Sequence, residues 1–166
     1  MIIEEIKNKL LNGDIFSIKE SMIDYDVNQF DNYGNNVLHY YILNRDSINI
    51  SFKFLLDELV KKGLDLNAKQ TKRDRRTALH LAVCIKSKEI FDLLIKENVD
   101  IDPLDNNGNT PLWLSIINYR KEEDSYFFKI LISKGANSNI KNFHDVSPID
   151  LVNSISNYDI KEKFFV

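Results

Sequence analysis

Cysteine, proline and glycine are scarce in this sequence. Its 166 residues include one cysteine, three prolines and five glycines. The single cysteine, Cys84, cannot form an internal disulfide, which favours a reducing compartment. No apolar stretch approaches the roughly 18–20 residues of a membrane span, and the acidic start at residues 1–5 does not resemble a signal peptide. We therefore expect a soluble cytoplasmic protein.

The overall charge is also small. The net charge of −3 does not by itself predict a nucleic-acid or membrane partner. Hydrophobic residues make up 43% of the chain and charged residues 28%, which is ordinary for a folded protein and argues against disorder. A chain of this length predicts one domain with a sizeable core.

One short pattern recurs along the chain. Its fullest copy is Thr77-Ala78-Leu79-His80-Leu81-Ala82, and weaker copies are Asn36-Val37-Leu38-His39, Thr110-Pro111-Leu112-Trp113 and Ser147-Pro148-Ile149-Asp150. The copies start at residues 36, 77, 110 and 147, so their spacings are 41, 33 and 37 residues. Recurrence on this scale is typical of a solenoid.

These segments resemble the ankyrin signature Thr-Pro-Leu-His-x-Ala, which has a period of 33 residues. Turns precede three copies, at residues 31–34, 105–108 and 142–145, and similar tails occur at residues 62–67, 97–102 and 134–139. The resemblance implies an all-α ankyrin-repeat solenoid of about five helix-turn-helix repeats with protruding fingers. We expect one domain over residues 1–166, with repeats near 1–30, 31–70, 71–104, 105–141 and 142–166.

Several positions depart from the ankyrin pattern. Tyr40 and Tyr41 stand where the family prefers small residues, so their rings should either separate neighbouring helices or face a repeat boundary. Extra residues fall at 44–49 and 118–124, as a second contact surface or as tolerated loops. The first helix pair should carry a polar outer face, as the end of a solenoid requires.

We find no catalytic constellation, phosphate-binding loop or zinc spacing, and predict neither enzymatic activity nor a cofactor. His39 and His80 should lie about 8–10 Å apart, too far to share a metal. The ankyrin resemblance implies that they hydrogen-bond the backbone of nearby turns. The acidic run at residues 122–124 is expected to start a helix, and Cys84 to be buried and inert.

The turn at residues 69–76 is longer by two residues than the turn before it, and it is basic. Lys69, Lys72, Arg73, Arg75 and Arg76 make it a solvated tip, a contact for an acidic protein or, as a distant third, a nucleic-acid site. It has no aromatic residue on which a base could stack.

The resemblance also implies a concave protein-binding surface at the finger tips. The corresponding positions are Asn32, Tyr33, Asn35, Arg73, Asp74, Arg76, Asn106, Asn107, Asn109, Trp113, Phe143 and His144. Aromatic residues and arginine often dominate interface energetics. Trp113 replaces the signature histidine, and it would either fill the space of the imidazole or be exposed as a binding residue.

These features favour a module that binds and blocks one protein partner, as a monomer or in a 1:1 heterocomplex. The closing segment, residues 146–159, resembles small bacterial ankyrin proteins, some of which are thought to act as immunity proteins against toxins. A toxin-neutralising antitoxin is therefore the leading hypothesis. The alternative is an adaptor or effector that recruits a host or cellular protein, and nucleic-acid binding through the basic turn is a distant alternative.

Overall fold

The computed structural model describes residues 2–154 and 158–165; residues 155–157 of the closing segment lie outside them. The described residues form ten α-helices: α1 Ile3–Asn12, α2 Ile15–Ser21, α3 Val37–Asn44, α4 Phe52–Lys61, α5 Ala78–Cys84, α6 Lys88–Lys96, α7 Pro111–Ile117, α8 Ser125–Ser133, α9 Pro148–Ser154 and α10 Tyr158–Phe164. They contain no β-strand, which confirms the all-α prediction.

The chain divides into two compact units, residues 1–81 and 82–166. In the first unit, α1 packs against both α2 and α3. The fully buried side chains of this unit recur at helical spacing along the helices, so each helix turns one apolar stripe inward. They include Ile6, Leu10, Ile18, Met22, Leu38, Ile42, Leu55, Leu56 and Leu59.

In the second unit, α7 packs against α8 and α9, and α10 packs against α8 and α9. Phe128 of α8 is fully buried and meets the ring of Tyr119 at a centroid distance of 6.0 Å. The ring of Phe164 on α10 also lies 6.0 Å from the ring of Phe128, so aromatic packing holds the last helix in place.

Several helices begin where the sequence supplies a capping oxygen. The hydroxyl of Ser87 accepts the main-chain N–H of Ile90 at 3.4 Å, and Thr110 accepts that of Trp113 at 3.1 Å. Such caps satisfy donors that the first helical turn leaves unpaired. The residues 122–124 form a short 3₁₀ turn that leads directly into α8, as predicted.

We expected a polar outer face on the N-terminal helix pair, but three exposed apolar side chains lie on it or directly beside it in sequence. Phe16, Ile23 and Ile2 are 82%, 69% and 60% exposed. These side chains extend beyond the apolar stripe that faces the core. Exposed polar residues such as Glu4 and Glu5 lie beside them, so the outer surface is mixed.

The two tyrosines of α3 have different roles. Tyr41 is buried; its ring lies 5.2 Å from that of Phe52, and its hydroxyl donates to the main-chain oxygen of Ile50. Ile50 follows the extra residues 44–49, so this insertion places a carbonyl opposite the buried phenol. Tyr40 is half-buried and faces Lys7 of α1, with the ammonium nitrogen 4.7 Å from the ring centroid. Tyr40 therefore faces the boundary between the first two helix pairs.

The insertion at residues 118–124 is organised by one buried carboxylate. Asp124 Oδ2 accepts hydrogen bonds from the ammonium of Lys86 at 2.6 Å and from the main-chain N–H groups of Arg120 at 2.8 Å and Lys121 at 3.2 Å. Burial alone would raise the pKa of Asp124, but these bonds lower it below its usual value. The segment is therefore a folded corner.

The single cysteine is less enclosed than we expected. Cys84 is half-buried, because it lies at the last position of α5. None of the described helices is both long enough and apolar enough to cross a membrane.

Candidate protein-binding fingers

Four fingers connect successive helix pairs: finger 1 is residues 31–36, finger 2 residues 70–77, finger 3 residues 105–110 and finger 4 residues 142–147. Each is closed by a hydrogen bond between its first main-chain N–H and a carbonyl near its end. The pairs are Asp31 to Asn35 at 2.8 Å, Gln70 to Arg76 at 2.9 Å, Asp105 to Asn109 at 3.0 Å and Asn142 to Val146 at 3.1 Å. Finger 2 closes over six positions where the others close over four, so it is longer by two residues, as predicted.

A side-chain oxygen at the first position supports three of the fingers. Asp31 Oδ1 accepts the main-chain N–H groups of Tyr33 at 2.9 Å and Asn35 at 2.8 Å. Asp105 does the same in finger 3 and Asn142 in finger 4. Asparagine and aspartate are favoured in turns because their side chains bond nearby main-chain amides. This explains why the degenerate turn at 142–145 folds like the others.

Neighbouring fingers of the same unit are tied together. In the first unit, the main-chain N–H of Thr71 donates to the oxygen of Gly34 at 2.9 Å, and Gln70 Nε2 donates to Asn35 Oδ1 at 2.6 Å. In the second unit, the equivalent bonds run from Phe143 to Asn107 at 3.0 Å and from Asn142 Nδ2 to Asn109 Oδ1 at 2.8 Å. The same pair of bonds therefore occurs in both units.

These ties change the interpretation of two predicted contact residues. Asn35 is only 5% exposed and Asn109 only 6% exposed. The side-chain oxygen of each accepts a hydrogen bond from the next finger, so the amide supports the finger and offers little surface to a partner. Their burial depends on the adjacent finger, which local sequence does not reveal.

Most of the other predicted contact residues are exposed. Tyr33 is 61% and Phe143 71% exposed, the largest aromatic surfaces on the fingers. Arg76 is half-buried, with its guanidinium 3.1 Å from Asp74. The remaining exposed positions are Asn32, Arg73, Asp74, Asn106, Asn107 and His144. Partner contact at these positions remains a prediction.

Trp113 fits neither of its two alternatives completely. The residue is half-buried, and its indole Nε1 is buried without a hydrogen bond in the described part of the chain. The ring thus fills space at the signature position but does not provide the polar contact that the histidines make. One face of the residue is left for solvent or a partner.

His39 shows the structural role expected of the signature histidine. Its Nδ1 accepts the main-chain N–H of Asn36 at 3.3 Å, and its Nε2 lies 3.1 Å from the carbonyl oxygen of Ala68. Burial lowers the pKa of His39 to about 4, although the bond to Ala68 opposes this shift. His80 makes the equivalent 3.2 Å contact with the N–H of Thr77. No cluster of three or more metal-binding side chains is found among the described residues.

Lys7 of α1 supports finger 1, and the sequence analysis did not predict this role. Its ammonium lies 3.1 Å from Asp31 Oδ2 and 3.0 Å from Glu4, and its side chain is about 10% exposed. Burial opposes the charge of Lys7, but the hydrogen bonds to Glu4 and Asp31 raise its pKa above its usual value. The pKa of Asp31 is lowered in turn, since hydrogen bonds from Asn35 and Lys7 outweigh its burial. The available signal was a lysine in the apolar stripe of α1, four residues after Ile3.

Comparison with known proteins agrees with this geometry. A family model described as ankyrin repeats (3 copies) matches residues 48–142. The match covers more than half of the 166 residues, so the chain belongs to the ankyrin-repeat family. This confirms the predicted fold class. Ankyrin repeats are non-enzymatic protein–protein interaction modules.

Ankyrin repeat proteins of viruses and of yeast are similar to this chain. Ankyrin repeat protein OPG189 of variola virus is 34% identical over 123 residues, covering 74% of this chain and 21% of that protein. The putative ankyrin repeat protein FPV031 of fowlpox virus is 35% identical over 92 residues, or 55% and 26% of the two chains. Ankyrin repeat-containing protein YGL242C of Saccharomyces cerevisiae is 34% identical over 82 residues, or 46% and 45%. The chain spans about a fifth to a quarter of the length of the two viral relatives.

Proposed function

We propose that the chain binds one protein partner through its exposed finger tips. The observation that carries this proposal is the exposure of Tyr33 and Phe143 on fingers that are fastened to their neighbours. Large aromatic side chains on a rigid support offer contact area with little loss of conformational freedom. The ankyrin fold supports the same class of function, since its repeats bind proteins.

We further propose that binding blocks the partner, with neutralisation of a toxin as the first case to test. The support is the resemblance of the closing segment to small bacterial ankyrin proteins. In cells that make the partner toxin, coexpression of the chain should restore growth. Substitution of Tyr33, Arg73 or Trp113 should weaken that protection, and protection by all three variants would contradict binding at the fingers and the adjoining start of α7.

In the adaptor alternative, the chain recruits a host or cellular protein. Variola and fowlpox virus proteins are among the relatives of this chain. An adaptor would leave the activity of its partner intact and bring the partner to a second component. Assay of the purified partner with and without the chain separates the two cases, because only a blocking protein lowers the activity.

Affinity capture tests the shared part of both proposals. The tagged full chain should retain one stoichiometric protein from cells of its source after a high-salt wash. Tyr33→Ala and Phe143→Ala should each lower recovery about tenfold, the scale of an interface hot spot. Phe16→Ala is the matched control, because Phe16 is 82% exposed but belongs to α2 and not to a finger. Equal recovery by all variants would contradict finger-tip binding. Filter binding at low salt tests the nucleic-acid alternative.

A further inference from the structure

An open pocket of about 380 Å³ lies beside finger 1, within the 1–81 unit. The lining residues that matter here come from α1, α3 and fingers 1 and 2: Lys7, Asp31, Tyr33, Tyr40, Leu43 and Arg73. A closed cavity of about 150 Å³ is large enough for benzene. The pocket therefore has room for an amino-acid side chain.

The charges within the pocket are already matched. The ammonium of Lys7 is shared between Asp31 at 3.1 Å and Glu4 at 3.0 Å, and it lies 4.7 Å from the centroid of the Tyr40 ring. The other oxygen of Asp31 is occupied by main-chain N–H groups of finger 1. A ligand therefore gains little by approaching Lys7 or Asp31, and breaking their contact would leave a buried charge unpaired.

Arg73 is different, because its charge is not matched. The side chain is exposed, and its guanidinium carbon lies 5.9 Å from the centroid of the Tyr33 ring. Within the described residues, the guanidinium makes no hydrogen bond or ion pair. The neighbouring Arg76 pairs with Asp74, and Lys72 donates to the main-chain oxygen of Asn32 at 2.8 Å. Arg73 is thus the cation of finger 2 that lines this pocket and has its donors available.

A guanidinium that lies near an aromatic ring still presents its N–H edge, which matches the two oxygens of a carboxylate. Exposed surfaces of Tyr33 and Leu43 lie in the same pocket. We propose that the pocket receives a glutamate or aspartate side chain of the partner protein, with its carboxylate on Arg73 and an adjacent apolar residue against Tyr33 and Leu43. This inference rests on the proposed protein-binding function and specifies the chemistry of the partner.

A protein carboxylate fits these residues better than a nucleic acid does. Single-stranded nucleic acids require aromatic faces on which bases can stack. Lys7 and Arg73 both lie within 6 Å of the Tyr33 ring centroid, and Lys7 also lies over Tyr40. The exposed part of the Tyr33 ring therefore offers contact for one apolar side chain rather than for a series of stacked bases.

A short peptide tests this proposal directly. The probe is acetyl-Gly-Glu-Leu-Gly-amide, titrated into the ¹⁵N-labelled full chain at about 150 mM salt, the physiological level. We expect millimolar affinity, with shifts of the Arg73 side-chain Nε–H and of the amides of Tyr33 and Leu43. The same peptide with glutamine in place of glutamate should bind about tenfold more weakly, since it lacks the charge that Arg73 recognises.

Two variants locate the contact. Arg73→Gln should weaken binding of the glutamate peptide about tenfold and remove its preference over the glutamine peptide. Arg75→Gln, a change of the same charge two residues further along the finger, should alter affinity less than about twofold, as expected for a screened surface charge. The spectra of both variants report whether the fold is intact.

Three results would overturn the proposal: no shift in the pocket up to about 10 mM peptide, equal loss of affinity in the two variants, or tighter binding of a thymidine oligonucleotide than of the peptide at the same salt. The proposed function fails separately. If a captured partner depends on Phe143 but not on Arg73, the chain binds protein and the pocket assignment is wrong. If the peptide binds through Arg73 but no partner is captured, the pocket is right and the broader function is wrong.

Discussion

Nε2 of His39 lies 3.1 Å from the main-chain oxygen of Ala68, which joins a buried imidazole on α3 to the chain that leads into finger 2. Burial lowers the pKa of this imidazole from 6.5 to about 4. Between these values the unfolded chain binds a proton that the folded chain does not. We therefore expect the free energy of unfolding to fall by about 3 kcal/mol as the pH drops from 6.5 to 4. Urea titrations at several pH values measure this change in the free energy of unfolding.

Variants of two histidines attribute this pH dependence. His39→Gln should reduce the slope between pH 4 and 6.5, whatever its effect on stability at neutral pH. His144→Gln should keep the slope, because His144 is exposed on finger 4. A slope that survives in the His39 variant would show that another group titrates.

Gly34 should be much less tolerant of a side chain than Gly63. Both have left-handed backbone angles, with φ of 84° and 77°, so alanine is strained at both. A Cβ at Gly34 would lie 2.5 Å from the main-chain nitrogen of Lys72, whereas nothing lies within 4 Å at Gly63. Gly34→Ala should therefore lower the free energy of unfolding by about 1–3 kcal/mol more than Gly63→Ala. Equal losses would mean that finger 2 moves away without resistance.

The hydroxyl of Tyr41 should contribute to stability, and that of Tyr40 should not. Tyr41→Phe leaves the buried carbonyl of Ile50 without its donor, so we expect a loss of about 1–3 kcal/mol in the free energy of unfolding. Tyr40→Phe is the control, because the hydroxyl of Tyr40 makes no hydrogen bond in the described residues. Thermal or urea unfolding measures both, and similar losses would argue against a role for the insertion at 44–49 in seating Tyr41.

Asp124 should be the carboxylate on which the second insertion depends. Asp124→Asn removes the charge that binds Lys86 and should cost about 1–3 kcal/mol at neutral pH. The folded-state pKa lies below the usual 3.8, so the contribution of Asp124 is present above pH 3.8 and is lost as the pH falls further. Glu123→Gln, at an exposed neighbouring position, should leave stability nearly unchanged. Comparable losses in the two variants would contradict a special role for Asp124.

The local elements were predictable because their signals are local. The turn before α3, the caps of α6 and α7, and the apolar stripes each occupy a few consecutive residues. The predicted turns at residues 31–34, 105–108 and 142–145 consequently lie at the starts of fingers 1, 3 and 4. The extra length of finger 2 was also visible as a difference in spacing.

The contacts between elements could not be predicted in this way. Lys7 and Asp31 are 24 residues apart, and nothing in either segment specifies the other. The burial of Asn35 and Asn109 depends on the amides of Gln70 and Asn142 in the following fingers. Trp113 shows the same limit, because the exposure of a large ring is set by its neighbours.

The bonds from Thr71 to Gly34 and from Phe143 to Asn107 have a consequence for how specificity can evolve. They use main-chain atoms, so they require a residue without a side chain at Gly34 but place no demand on the exposed side chains at the tips. Residues such as Asn32, Arg73 and His144 can be exchanged while the spacing of the paired fingers is kept. Selection can thus alter partner preference by point changes at the tips, without having to rebuild the support on which those residues are displayed.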